Sequence, residues 1–265
     1  MATRVSDNWE RGDAYEQYVG RWSRQVAPRF LDWLAASPGL RWLDVGCGTG
    51  ALTATIVDHA APASVDGVEP SAGFLTTARE RLGESVALHQ GDAATIPLPD
   101  DSVDMVVSAL VLNFVPDIAA ALAEMRRVVV AGGTVAGYVW DYGGDMQFMR
   151  YFWDAAVALD PDAAELDEAV RFPMTTPDGL AGLFAAAGLS NVVTVALDIH
   201  TSFADFDALW APFLSAQGPA PTYLASLDTS GRDRLREKMR LRVPVAADGS
   251  IDLIARAWAV RGISG

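Results

Sequence analysis

The sequence predicts an α/β fold: a doubly wound, mostly parallel, seven-stranded sheet with helices on both faces and an inserted helical cap. Three observations carry that prediction. Between residues 40 and 140, short apolar runs alternate with helix-period segments across short connections, the pattern of parallel strands covered on both faces. The first apolar run ends in a glycine cluster that leads directly into a helical pattern. Two later stretches, rich in aromatic residues at helical spacing, interrupt the remaining strand pattern.

The elements follow in order. Tyr15, Tyr18, Val19 and Trp22 lie on one helical face, and Pro28 predicts two helices or a kinked one before Pro38-Gly39. Residues 40–45 form the first strand and 51–60 the helix after the glycines. Residues 64–68 form a second strand, 72–82 a helix capped by Ser71, 85–89 a third strand and 103–108 a fourth. A helix over 118–128 and a turn at Gly132-Gly133 lead to a fifth strand over 134–140. Helices are expected over 145–159, over 177–187 with Thr176 as cap and Gly188 as stop, and over 205–216 and 223–241. Strands over 191–199 and 251–260 complete the sheet. The chain reads as a single domain over 1–265, with an N-terminal helical lid over about 1–37. Its core covers about 38–144, 176–200 and 250–265, and its cap insertions about 145–175 and 203–248.

Composition bounds the function. With 265 residues, 51% apolar and 20% charged, the chain has material for a sizeable core. A formal charge of −14 and the lack of a basic arm argue against nucleic acid and anionic lipid as partners. One cysteine, Cys47, excludes an intramolecular disulfide and any zinc site of several thiolates. No His, Asp and Glu cluster has metal-ligand spacing, so no metal is expected. The longest apolar stretches, 103–115 and 128–140, fall short of the roughly 20 residues that span a bilayer. The N-terminal residues lack the apolar core of a secretory signal. The expected setting is cytoplasmic.

The segment Gly46-Cys47-Gly48-Thr49-Gly50-Ala51 places a backbone-exposing loop between a buried strand and a helix N-terminus. Such a loop binds a nucleoside in a doubly wound sheet. It also matches the dinucleotide pattern G-x-G-x-x-G/A, so a nicotinamide-dependent oxidoreductase stays open at this point. Glu69, with Pro70 at the end of the second strand, stands about 20 residues on, where an acid accepts ribose hydroxyls. Asp44 is placed to brace the loop amides. Asp92, after the third strand, is placed to accept from an adenine amine.

Together with these residues, Gly91-Asp92-Ala93, the stretch Pro97-Leu98-Pro99-Asp100-Asp101-Ser102, and Arg126-Arg127 before Gly132-Gly133 resemble class I S-adenosylmethionine-dependent methyltransferases. Within that superfamily, residues 15–142 are similar to the branch containing the ubiquinone and menaquinone biosynthesis C-methyltransferases. Ala131 stands where that branch often has proline. The resemblance implies a Rossmann-like fold, S-adenosylmethionine as cofactor, S-adenosylhomocysteine as product and a small-molecule methyl acceptor. It also implies roles. Gly46, Cys47 and Gly48 line the methionine part, Glu69 holds the ribose, and Asp92 and Ala93 meet the adenine. Ser108 and Ala109 face the methionine amine, and Arg21 pairs with the carboxylate. A cofactor-binding partner subunit without turnover is a further alternative.

Methyl transfer from a sulfonium needs alignment and exclusion of water more than a triad, and no triad is present. Asp141, Tyr142 and His200 follow strands at the expected ligand edge and are the candidate catalytic residues. Tyr15, Tyr18, Trp22, Trp140, Tyr142, Phe148, Phe152 and Trp210 are the candidate acceptor contacts, and aromatic walls suit an apolar or aromatic molecule.

Overall fold

The computed structural model describes residues 21–215 and 218–265. In chain order these form α1 (Arg21–Leu34), β1 (Arg41–Val45), α2 (Ala51–His59), β2 (Ser64–Glu69), α3 (Ala72–Leu82), β3 (Ala87–Gln90), β4 (Val103–Ala109), α4 (Ile118–Val128) and β5 (Val129–Trp140). There follow α5 (Gln147–Leu159), α6 (Glu168–Arg171), α7 (Pro177–Ala186), β6 (Ser190–Phe203), α8 (Phe206–Trp210), α9 (Pro219–Ser226), α10 (Thr229–Arg240) and β7 (Ile251–Ile263). The seven strands form one sheet in the order β3-β2-β1-β4-β5-β7-β6. β1 pairs in parallel with β2 and β4, β2 with β3, and β4 with β5; β7 runs antiparallel to β5.

Two compact units divide the chain. The sheet unit comprises residues 23–140, 174–197 and 257–265. Its central strands are apolar on both faces because both are covered: Trp42, Leu43, Val45, Val106 and Val107 are buried. On one face Val45, Val106, Val135 and Val139 pack with Leu122, Met125 and Val128 of α4 and Phe184 of α7. On the other, the ring of Phe30 in α1 lies 4.9 Å from that of Tyr138.

The helices start where their caps stand. The Phe74 amide donates to Ser71 Oγ, the Ala120 amide to Asp117 Oδ1, and the Gly179 amide to Thr176 Oγ1. Pro28 does not divide α1, which runs through it as one helix. Proline costs an interior helix about 3 kcal/mol, and the buried stripe of Val26, Ala27, Phe30, Leu31 and Leu34 offsets that cost.

The helical unit comprises Trp22 and residues 141–173 and 198–256 among those described. Its core is aromatic. Phe213 stacks on both Phe148 (4.4 Å) and Phe152 (4.5 Å), and Phe148 meets the edge of Trp22 at 4.9 Å. The single helix expected over 223–241 is two, α9 and α10. Asp228 separates them because its Oδ1 accepts the Gly231 amide at 2.6 Å and so starts a new helix. Arg150 forks onto Asp167 with two bonds of 2.8 Å and also donates to the Tyr142 carbonyl.

Candidate functional site

The site residues of the sheet unit gather at the carboxyl end of β1. There the chain enters a loop in which Gly46 has φ of +73° and Gly50, at the start of α2, +82°. At Gly46 two constraints coincide. Positive φ favours glycine, and an added Cβ would lie 2.6 Å from Val111 Cγ1. The loop is held from β2: the Gly46 and Cys47 amides donate to the Val68 carbonyl at 2.8 and 3.1 Å, and the Gly48 amide donates to Glu69 Oε2 at 3.1 Å. The other Glu69 oxygen accepts the Ser71 amide at 2.9 Å. Burial raises the Glu69 carboxyl above its usual range, and these two amide bonds counter the rise.

Asp44 does not brace the loop amides as expected; Val68 and Glu69 do that. Its Oδ2 instead accepts from Thr53 Oγ1 in the first turn of α2 at 2.7 Å, and its Oδ1 is buried with no partner among the described residues. Burial pushes its pKa up to about 7, against the Thr53 bond and with help from the nearby Glu69 charge. Cys47 is buried beside Gly67, and burial pushes its thiol well up, so it stays protonated.

The other predicted cofactor residues are placed as follows. Asp92 is exposed, and its Oδ1 closes a turn by accepting from the Ala94 amide and Thr95 Oγ1. Ala93 packs against the sheet core. Pro70 is exposed, and its carbonyl accepts from Gln90 Nε2. Ser108 is fully buried, and its hydroxyl donates to the Val45 carbonyl at 2.9 Å, tying β4 to β1. Ala109, half-buried, ends β4. Tyr15, Tyr18 and the side chain of Arg21 lie outside the described residues.

The sequence reading missed the turn after β4. Leu110 has φ of +60°, a rare state for a bulky side chain, and its amide donates to the Tyr138 carbonyl at 2.8 Å. The short 3-10 helix Leu112–Phe114 then buries Asn113, whose Oδ1 and Nδ2 both lack a partner. The available signal was one amide in the otherwise apolar run from Val111 to Val115.

Asp141, Tyr142 and His200 belong to the helical unit. Asp141 is buried, and its Oδ2 accepts the Asp145 amide at 2.8 Å, which shapes the turn after β5. Tyr142 is buried with its ring 5.8 Å from that of Phe172. His200 is exposed on β6. Trp22, Phe148, Phe152 and Trp210 belong to the aromatic core of this unit. Trp140, at the end of β5 in the sheet unit, is buried with Nε1 unpartnered. Among the described residues, no group of three or more His, Cys, Asp and Glu is placed to hold a metal ion, and no helix is long and apolar enough to cross a membrane.

A family described as a methyltransferase domain matches residues 43–137, which contain the loop, Glu69 and the β4 turn. An uncharacterized methyltransferase of Geobacillus thermodenitrificans is 30% identical over 200 residues, 72% of this chain and 91% of its own length. The chain belongs to the class I S-adenosylmethionine-dependent methyltransferases.

Membership sets aside the nicotinamide reading that the glycine loop had left open. The chain is 28% identical over 209 residues to a demethylmenaquinone methyltransferase of Anoxybacillus flavithermus, 71% of this chain and 85% of that one. Where identity reaches 40%, over 126 residues, the chain spans about half the length of the curated relatives it matches. Its fold is similar to that of a Haemonchus contortus phosphoethanolamine N-methyltransferase solved with S-adenosyl-L-methionine. The TM-score is 0.59 at 17% identity, covering 100% of this chain and 59% of that one.

Proposed function

We propose that the chain holds S-adenosylmethionine at the Gly46–Gly48 loop and methylates a small apolar or aromatic molecule. The observation that carries this reading is the polar lining of the loop. Glu69 is fixed by two amides, and Asp44 keeps one buried oxygen without a partner beside it. A buried acid with a free acceptor fits a cationic ligand, and S-adenosylmethionine is one. The glycine backbone, with open space beside Gly48 and its φ of +55°, fits close approach of that ligand.

When bound, the cofactor supplies a methyl group on a sulfonium, already joined to its leaving group. The chain's own task is to bind, orient and exclude water. In this reading Gly46, Cys47 and Gly48 contribute backbone atoms to the methionyl part and Glu69 accepts from ribose hydroxyls. Asp92 and Ala93 meet the adenine, with Pro70 beside the ribose. Ser108 and Ala109 contribute backbone carbonyls to the ammonium, since the Ser108 hydroxyl is already donated to Val45. Transfer needs no general base when the acceptor arrives deprotonated. An apolar or aromatic acceptor is supported by the demethylmenaquinone methyltransferase among the relatives. The charge of −14 speaks against nucleic acid as acceptor. A cytoplasmic setting belongs to the same reading, supported by the lone buried cysteine.

Thermal unfolding with S-adenosylmethionine, S-adenosylhomocysteine, NAD or NADP tests the cofactor. A ligand at about 100 times its Kd stabilises by roughly 2.7 kcal/mol. A rise in Tm with the first two alone is expected. A rise with a nicotinamide cofactor alone would overturn the proposal. With the cofactor established, a screen of quinols, phenols and amines for methyl uptake tests the acceptor class.

A further inference from the structure

The turn that leaves β4 contains a polar group that the fold leaves unused. Asn113 is 7% exposed, and both its Oδ1 and its Nδ2 are buried without a hydrogen-bond partner among the described residues. Native interiors rarely leave both ends of an amide unpaired, and a leucine of similar shape at this position would avoid the desolvation cost. The turn lies directly on the glycine loop, because the Val111 side chain fills the space beside Gly46 Cα. It is also strained: Leu110, three residues before Asn113, has φ of +60°. A strained turn with an unpaired buried amide, packed on a ligand loop of the same unit, has the character of a binding group preorganised for its ligand.

We propose that Asn113 binds the amino-acid end of S-adenosylmethionine, its Oδ1 accepting from the ammonium and its Nδ2 donating to the carboxylate. This rests on the cofactor reading above and adds a side chain to it. The chemistry selects this end of the molecule. An amide is at once donor and acceptor and does not titrate, so one side chain serves the two opposite charges that share a single carbon. The apolar acceptor offers no such pair, and the adenine and ribose are assigned to Asp92 and Glu69.

The test compares two probes: S-adenosylhomocysteine, and 5′-methylthioadenosine, which lacks the amino-acid end. Calorimetry is run on the wild type, Asn113→Leu and Asn113→Ala, with Tm measured without ligand. The expected result is a higher Tm for Asn113→Leu, because an unpaired amide is removed. In both variants S-adenosylhomocysteine should bind about tenfold or more weakly, with 5′-methylthioadenosine unchanged. The ratio of the two affinities is the deciding quantity, since general loosening of the site lowers both. An unchanged ratio overturns the proposal, whether both affinities hold, as for an amide facing the acceptor, or fall together. If the wild type binds neither probe, the cofactor reading itself fails. That outcome is distinct from wild-type binding with an unchanged ratio, which removes Asn113 alone.

Discussion

Thr53 Oγ1 donates to Asp44 Oδ2 across 2.7 Å, joining the end of β1 to the first turn of α2, while Asp44 Oδ1 stays buried and unpaired. Burial raises this carboxyl from 3.8 to about 7. Between those values the folded protein keeps a proton that the unfolded chain has released. The contribution of Asp44 to stability is therefore full at low pH and is lost as pH rises towards 7, with a slope of up to about 1.4 kcal/mol per pH unit. Urea unfolding from about pH 4 to 8 should show this slope in the wild type and a flatter profile in Asp44→Asn. Parallel profiles would place the ionisation elsewhere.

Glu69 has one oxygen on the Gly48 amide and the other on Ser71. Glu69→Gln retains one carboxyl-like oxygen, so one of these amides loses its acceptor. A loss of about 1–2 kcal/mol in stability is expected, and S-adenosylhomocysteine should bind about 1–3 kcal/mol more weakly. Chemical unfolding and calorimetry measure the two effects separately. Full affinity in a folded variant would remove Glu69 from the ribose.

Gly46→Ala meets two obstacles, a φ of +73° and the Val111 side chain 2.6 Å from the new Cβ. A destabilisation of about 2–4 kcal/mol is expected. Adding Val111→Ala should recover the steric part and leave the backbone part of roughly 1 kcal/mol. A double-mutant cycle on unfolding free energies reads the coupling. Strict additivity would mean that the two residues do not oppose each other.

Glu168 is buried in the helical unit and accepts from Trp153 Nε1. Burial pushes its carboxyl from 4.5 up to about 8. It is protonated at neutral pH, and its contribution to stability falls as pH rises from 4.5 to about 8. Glu168→Gln preserves an acceptor for the indole, so its stability should match the wild type at about pH 4 and exceed it by a margin that grows up to about pH 8. Tryptophan emission of the wild type, but not of this variant, should titrate near 8. Titration retained in Glu168→Gln would assign the transition to another group.

The parts of the fold legible in the sequence were those set by local pattern. Strand β1, its glycine loop and α4 could be read because apolar periodicity, glycines and caps all lie within a few residues of one another. The separation of α9 from α10 was written in Asp228 but outweighed by the helical spacing around it. Two kinds of fact lay beyond reading. Which acceptor each carboxylate meets depends on residues far along the chain, so Asp141 looked free for chemistry although its Oδ2 accepts the Asp145 amide. The aromatic residues at 148, 152 and 210 looked suited to a substrate, and three-dimensional packing places them against one another in a core. An unpaired group such as Asn113 leaves only one amide in an apolar run as its trace in the sequence, because it is defined by partners it does not have.

The order of the strands affects how the protein is made. β7 is the last of the seven to leave the ribosome, yet it lies inside the sheet between β5 and β6, with Ile263 opposite Thr134 and Ala257 opposite Trp140. Until it arrives, the growing chain has an open edge at β5 and a β6 with no neighbour in the ladder. Vectorial synthesis thus leaves unpaired strand edges that close only when distant segments meet. Nascent chains stalled before residue 257 should therefore depend on chaperones in a way the finished protein does not.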